Sequence, residues 1–481
     1  MHCGKLFGRT NRERGLRMVF SSSVFLFLFL PLVLIGYFNP ILKGRRFKNC
    51  FLLLASLGFY AWGEPFFVLV MLASIGVNWL LGILIARHER GLRKVFLVIA
   101  VAYDVSLLFV FKYVSFITRT IGLLWHDDSI SVNIALPIGI SFFTFQIMSY
   151  IFDVYYKKAP VQKNYSNVAL YIALFPQLIA GPIVRYQTVA EEITSRKETP
   201  EDFTRGFSRF ILGLGKKLLV ANYAGYIADR IFALKGDMSI LSAWLGVIAY
   251  TLQIFFDFSA YSDMAIGLGR IFGFHFLENF NYPYMAKSIT DFWRRWHISL
   301  STWFRDYVYI PMGGNRVSKG RQIYNLLALW LLTGLWHGAN WTFIAWGLFY
   351  FFLLLLERFT GIEKKLGIFS RVYTLLFVMI GWVLFRAESL PRAFRYLGVM
   401  FGRGPGGLID ETFVQCFSNG KWILAAGILL STPIVPFCKE KMKALGKVYQ
   451  PAAALVLAVI FVLSLLVCIK SDYNPFLYFN F

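Results

Sequence analysis

Nine apolar runs of membrane-helix length leave this chain little choice of solvent. They fall near residues 18–38, 66–86, 95–111, 134–152, 241–257, 323–356, 370–385, 421–437 and 452–469. A bilayer core of about 30 Å takes about 20 apolar residues to cross as a helix. Backbone that meets lipid must satisfy its own polar groups, as helices do. Shorter runs lie near 50–62, 166–184, 207–221 and 258–274. The chain therefore reads as an all-α polytopic membrane protein of about 10 to 13 transmembrane and re-entrant helical segments. The run at 323–356 is too long for one crossing and is expected to bend or split between Gly334 and Gly338.

Composition agrees. The chain is 57% hydrophobic and 16% charged, against about 25% charged in soluble domains. Fifty Phe and thirteen Trp suit a lipid-facing, interface-anchored surface. No polar linker divides the 481 residues, so residues 18–481 read as one continuous membrane domain. Residues 1–17 read as a basic extension. Arg9, Arg12, Arg14 and Arg17 precede the first run and Lys43, Arg45, Arg46 and Lys48 follow it. Both sets cannot obey the positive-inside rule if the run spans, and Met18 offers an alternative start. The other signals then agree: N-terminus outside, 43–48 cytoplasmic, a hairpin outside at Gly63–Pro65, and Arg87–Lys94 cytoplasmic. The first run lacks a small-residue cleavage site and reads as an anchor, not a signal peptide.

Five cysteines (Cys3, Cys50, Cys416, Cys438, Cys468) have no paired spacing and read as packing residues, not as a disulfide set or metal site. No metal is expected, because neither a His-x-x-x-His nor a Cys pair occurs. No Walker loop, dinucleotide fingerprint or nucleophile elbow occurs either. The net charge of +23 fits positive-inside anchoring and anionic lipid. It also fits an acidic partner such as a CoA phosphate, a phosphopantetheine carrier or an anionic polysaccharide.

Several apolar runs carry polarity that lipid does not tolerate. Leu136 to Gln146 holds Pro, Gly, Ser, Thr and Gln. Phe175 to Pro182, followed by Arg185, breaks its helix twice. Asp257, Ser259, Tyr261, Ser262 and Asp263 interrupt another stretch. Broken helices at membrane depth need protein or a water-filled cavity around them, so the fold is expected to enclose a polar interior.

Charges forbid a span from Lys287 to Arg321. On a helix, Trp293, Trp296, His297, Leu300 and Phe304 share one face, and Arg294, Arg295, Ser301 and Arg305 lie off it. The expectation is an amphipathic boundary helix facing the cytoplasm, with His297 pointing inward. It closes with the turn Tyr309 to Arg316. The second histidine of interest, His337, lies between Gly334 and Gly338, a pair that lets another backbone approach. Asn340 stands three residues on and can orient its ring. An ionisable residue in a membrane segment marks a functional site, and histidine is the natural base near neutral pH. His2, His88 and His126 sit in polar or terminal contexts, and His275 reads as structural. The reading is a histidine base that activates a hydroxyl against an acyl donor with a good leaving group.

These segments resemble the membrane-bound O-acyltransferase family, in its alginate O-acetyltransferase branch. The resemblance is carried by Met18-Val-Phe-Ser-Ser, Phe59 to Pro65, Leu136 to Gln146, Phe175 to Arg185, Phe255 to Gly267, Asp291 to Arg316, Leu335 to Trp341 and Gly381 to Arg386. It implies a multi-pass enzyme of the bacterial inner membrane, with a ring of helices around a central funnel. His337 would match the family's essential histidine and His297 its second one. Asp291, Arg294, Arg295, Trp296, Arg305 and Asn340 are the candidate donor- and substrate-binding residues. An acetyl group would pass from a cytoplasmic thioester, acetyl-CoA or an acyl carrier, to hydroxyls of an extracytoplasmic polysaccharide. No bound cofactor is expected. A separate periplasmic or extracellular protein with its own Ser-His-Asp site is the implied partner. Nucleic acid is not. Two alternatives stand beside this: D-alanyl transfer to teichoic acid from a carrier protein, and a transporter or flippase for a lipid-linked glycan. A transporter usually shows repeat symmetry between halves, which this chain does not.

Overall fold

The structure is a computed structural model that describes residues 18–477, apart from 180, 235, 445 and 472. The proposed extension, residues 1–17, and Cys3 lie outside the described residues. Every regular element among those described is helical. Among the described residues, seven helices are long and apolar enough to cross a membrane: Phe67–Arg87, Gly91–Trp125, Ile240–Ile271, Trp341–Thr360, Gly367–Arg386, Glu411–Leu430 and Gly446–Lys470. This is a multi-pass membrane protein. Other apolar runs fold as shorter pieces. The first becomes a wide turn over Phe25–Phe29 and a helix over Leu30–Tyr37.

Two compact units interleave along the sequence. The first draws its described residues from Met1–Phe111, Ala135–Phe203 and Gly269–His275, the second from Lys112–Ile134, Thr204–Leu268 and Phe276–Phe481.

In the first unit α1 (Arg45–Gly63), α2 (Phe67–Arg87), α3 (Arg90–Leu108), α4 (Ile140–Tyr155) and α5 (Tyr165–Ala173) pack together. The polar run at 136–146 opens α4: Gly139 takes φ +74° with the Leu178 carbonyl 2.9 Å from where a Cβ would stand, a conformation that glycine adopts at no steric cost. α5 ends before Leu174, and a short helix over Phe175–Leu178 follows, so the chain breaks where Pro176 requires. A polar knot ties the unit. Arg196 is 4% exposed and donates to the Asn49 side chain at 2.7 Å and the Phe272 carbonyl at 2.9 Å. Beside it Glu198 accepts from Arg45 at 2.6 Å and from Tyr37. Burial opposes ionisation of Glu198, but the hydrogen bonds from Arg45 and Tyr37 and the charges of Arg45 and Lys48 outweigh it and hold its carboxyl down at about 2.

The second unit contains α6 (Asn222–Phe232), α7 (Ile240–Ile271), α8 (Ile289–Arg295), α9 (Ile298–Phe304), α10 (Lys319–His337), α11 (Trp341–Thr360), α12 (Ser370–Arg386), α13 (Glu411–Leu430) and α14 (Tyr449–Lys470). Two expectations are corrected here. The polar cluster after Asp257 does not break its helix; α7 runs 32 residues without interruption. Its acids are paired instead: Asp257 with Lys217 at 2.6 Å, and Asp263 with Arg209 at 2.8 Å and Lys216 at 2.7 Å. A paired, hydrogen-bonded charge stays inside without local unwinding. Conversely, the boundary helix expected through His297 is two helices. α8 stops at Arg295, and His297 adopts φ +45° before α9 begins.

The long run at 323–356 splits as expected. α10 ends at His337, Gly338 is extended, and Asn340 caps α11 by accepting from the Thr342 amide at 3.2 Å. α10 and α11 pack as an antiparallel pair. A Cβ on Gly334 would stand 2.5 Å from the Phe343 carbonyl, and one on Gly347 would stand 2.5 Å from the Trp330 carbonyl. The backbones meet at these two glycines. Of the described cysteines Cys416 alone is buried; Cys50 and Cys438 are exposed and Cys468 is intermediate, so the packing role fits Cys416.

Candidate active site

His337 is the last residue of α10, and the structure fixes its ring through the helix itself. Its Nδ1 lies 2.7 Å from the Thr333 carbonyl one turn back. A carbonyl only accepts, so in the neutral ring Nδ1 carries the hydrogen and Nε2 keeps its lone pair. The end of α10 is held in turn from outside the helix. Lys112 donates to the Trp336 carbonyl, and the Tyr113 hydroxyl donates to that of Leu335 at 2.6 Å. These are carbonyls that a helix C-terminus leaves unsatisfied.

His297 sits in the α8–α9 break. Its Nδ1 lies 3.2 Å from Asn279 Oδ1. That oxygen also accepts from the Ser299 amide at 3.1 Å and the Ser299 hydroxyl at 2.9 Å, while Asn279 Nδ2 donates to Ser262 at 3.0 Å. Asn279 is thereby oriented as an acceptor toward the ring, and His297 Nε2 is left bare. It is buried and makes no hydrogen bond. Both histidines thus present an unprotonated Nε2, a base nitrogen, by two unrelated local devices.

Both also line one cavity of about 480 Å³, a volume in the range of small-ligand sites. His337 is 7% exposed and His297 1%, so His337 is the more open of the two. Rings pack around them: Trp346 and Phe385 at 4.9 and 5.4 Å from the His337 ring, and Phe258 at 4.5 Å from His297. Arg294, Arg305 and Arg358 are exposed residues of the same cavity wall. The Asp306 carboxylate, bonded at 2.6 Å, raises Arg305 above the usual guanidinium range, and Arg305 opens a wide turn over Arg305–Tyr309 that leads out of α9.

The remaining candidates divide. Asp291 and Arg295 pair with each other at 2.8 Å along α8 and are not part of the cavity wall. Trp296 is buried, stacks on Phe292 and packs tilted against Trp382. It borders a second, small void that also touches His337. Asn340 does not hold the His337 ring: its side chain caps α11 and donates to the Glu388 carbonyl at 3.1 Å. Three residues escaped the sequence reading. Asn279 gave no signal, being one polar residue in an irregular stretch. Lys112, a lone cation closing an apolar run, was visible as an intramembrane charge. Glu357 was visible in the same way. It accepts from the Ile289 amide at 2.5 Å and the Thr290 amide at 3.0 Å, and so caps α8 from within the cavity wall.

The fold and this site define a helical membrane protein with a partly open cavity, lined in part by aromatic rings, holding two base nitrogens under a cationic rim. Residues 100–362 match the model of MBOAT, the membrane-bound O-acyltransferase family. The chain is 39% identical to the probable alginate O-acetylase AlgI of Pseudomonas putida, over 96% of this chain and 100% of the relative. It is 32% identical to the peptidoglycan O-acetyltransferase of Helicobacter pylori, over 96% and 98%. It is 29% identical to the teichoic acid D-alanyltransferase of Bacillus subtilis, over 53% and 70%. The chain belongs to the membrane-bound O-acyltransferase family and is an acyltransferase.

Proposed function

We propose that this protein moves an acetyl group from a cytoplasmic thioester, acetyl-CoA or a carrier-bound equivalent, to hydroxyls of an extracytoplasmic polysaccharide, and that it works in the inner membrane of a bacterium. The observation that carries the reading is the bare Nε2 of His337 at a 480 Å³ cavity rimmed by Arg294, Arg305 and Arg358. His337 Nε2 takes the proton of the acceptor hydroxyl. The oxygen attacks the thioester carbonyl, the C–S bond breaks, and the thiolate leaves with the proton returned from His337. Guanidinium groups bind phosphate through charge-assisted, forked hydrogen bonds, so the rim suits the phosphates of CoA or phosphopantetheine. His297, the less exposed of the two histidines lining the cavity, positions the acceptor or donor.

Alginate and peptidoglycan are named for relatives; the acceptor here is a surface glycan of that kind. A separate extracytoplasmic protein completes the transfer to polymer. The test is reconstitution in vesicles with labelled acetyl-CoA inside and polymer outside, with and without the neighbouring extracytoplasmic acyltransferase. Label on the polymer only when both proteins and His337 are present supports the reading. Transfer from a D-alanyl carrier instead of acetyl-CoA would replace the acetyl donor with the D-alanyl one. Full polymer acetylation by this chain alone would remove the partner.

A further inference from the structure

His337 borders two spaces of very different size. The cavity described above holds about 480 Å³. The second void, enclosed by Ile254, Phe258, Trp346, Phe385 and Leu477 among others, has room for about 10 Å³, barely that of one water. Its wall comes from helices except at Trp296, in the α8–α9 break, and at Leu477, which is 8% exposed and follows the irregular stretch Tyr473–Phe476. That segment has no helical ladder of its own. Side chains hold its backbone instead. Lys217 donates to the Pro475 carbonyl, Asp257 accepts from the Leu477 amide at 3.0 Å, and Asn222 donates to the Tyr473 carbonyl at 3.2 Å. Lys217 and Asp257 are themselves an ion pair at 2.6 Å, with side chains 4% and 2% exposed. Lys217 stands on a wide turn over Lys216–Ala221, a geometry that recurs at functional sites. A buried pair is weak as a source of stability, because desolvation offsets its attraction. Here both partners point their remaining hydrogen-bonding capacity at one removable piece of wall.

We propose that Tyr473–Leu477 is a gate at the second face of His337, latched shut by the Lys217–Asp257 pair. A wall held by side-chain bonds can swing out without breaking a helix, whereas Trp296 is packed against Phe292 and Trp382 and the remaining wall residues would drag their helices along. Closed, the gate keeps water from the His337 face away from the donor cavity. Open, it admits the acceptor hydroxyl or releases the acylated product. This rests on His337 being the base.

The test therefore includes a readout independent of activity. Leu477→Cys is placed in a chain whose native cysteines are replaced, and its labelling by a maleimide is timed with and without the double substitution Lys217→Met, Asp257→Leu. The apolar pair fills the same space, so the fold is kept, which a melting curve checks. Labelling is expected to speed up about tenfold, the change that about 1.4 kcal/mol of lost latch energy produces. Equal labelling rates in the folded double variant would overturn the latch. The second arm measures donor hydrolysis without acceptor. Leu477→Ala opens the void and is expected to raise hydrolysis relative to transfer, with the donor KM unchanged. An unchanged ratio would overturn the gate. If His337→Ala retained transfer while labelling still responded to the latch, the catalytic reading would fail and the gate would stand.

Discussion

His337 and His297 differ in what their loss removes. His337→Ala deletes the proposed base and is expected to cut acyl transfer by about 10² to 10⁴, while the protein still inserts and melts cooperatively. Transfer measured within a few-fold of the unaltered protein would end its assignment as the base. His297 adds a backbone effect, because φ +45° costs an L-residue on the order of 1–2 kcal/mol and glycine almost nothing. His297→Gly should therefore melt above His297→Ala, although both lose the same imidazole and show the same drop in turnover. Glu198 sets an acid limit. Its carboxyl titrates at about 2 in the folded chain, down from 4.5. The unfolded chain takes up that proton first as pH falls. The stabilisation is complete above about 4.5 and disappears toward 2. Melting temperatures of Glu198→Gln should therefore fall less steeply than those of the unaltered protein across that window. The two histidines were legible as ionisable groups in apolar sequence, but the orientation of each ring was not. Asn279 is 18 residues from His297 and on no shared periodicity with it, and the acceptor for His337 is a main-chain carbonyl that any residue supplies.

At the scale of helices, the Gly334–Gly347 crossing of α10 and α11 is the joint that aims His337. Sequence spacing pointed to Gly334 and Gly338 as a pair; the structure instead sets Gly334 against Gly347 on the next helix. Gly347→Ala should push a methyl into the Trp330 carbonyl, lower stability by about 1–3 kcal/mol, and reduce transfer because the helix end carrying the base moves. A thermal shift combined with turnover measures both, and an unchanged melting temperature would deny the close contact. The split of the 323–356 run was readable from its length alone. The continuity of α7 was not, because local polarity suggests a break, while the Lys217, Arg209 and Lys216 partners that cancel it come from residues 209–217. The α8–α9 interruption failed the other way: the helical period holds from Trp293 to Phe304, and the hydrogen bonds of Asn279 to the Ile298 amide and to Ser299 override it.

Across the whole molecule, hydropathy alone gave the all-helical membrane class, since no other architecture accommodates so many apolar runs. Sidedness follows from charge. The segment from Lys287 to Arg321 should face the cytoplasm, the side of the proposed donor. Ser318 is exposed, so Ser318→Cys in a cysteine-free background should react with an impermeant maleimide in inverted vesicles and not in intact spheroplasts. Labelling from the outer face would reverse the topology and move the donor's entrance with it.

Trp293 and Trp330 form part of the cavity wall, their rings 5.0 Å apart, and Trp346 stands 5.5 Å from Trp293 and 4.9 Å from His337. Under the proposed function, these indoles stand beside the site of the thioester. The chamber therefore carries its own optical probe. A donor that enters it changes the polarity around these rings and quenches or shifts their emission, so occupancy is readable by light in the unlabelled protein, before any bond is made or broken.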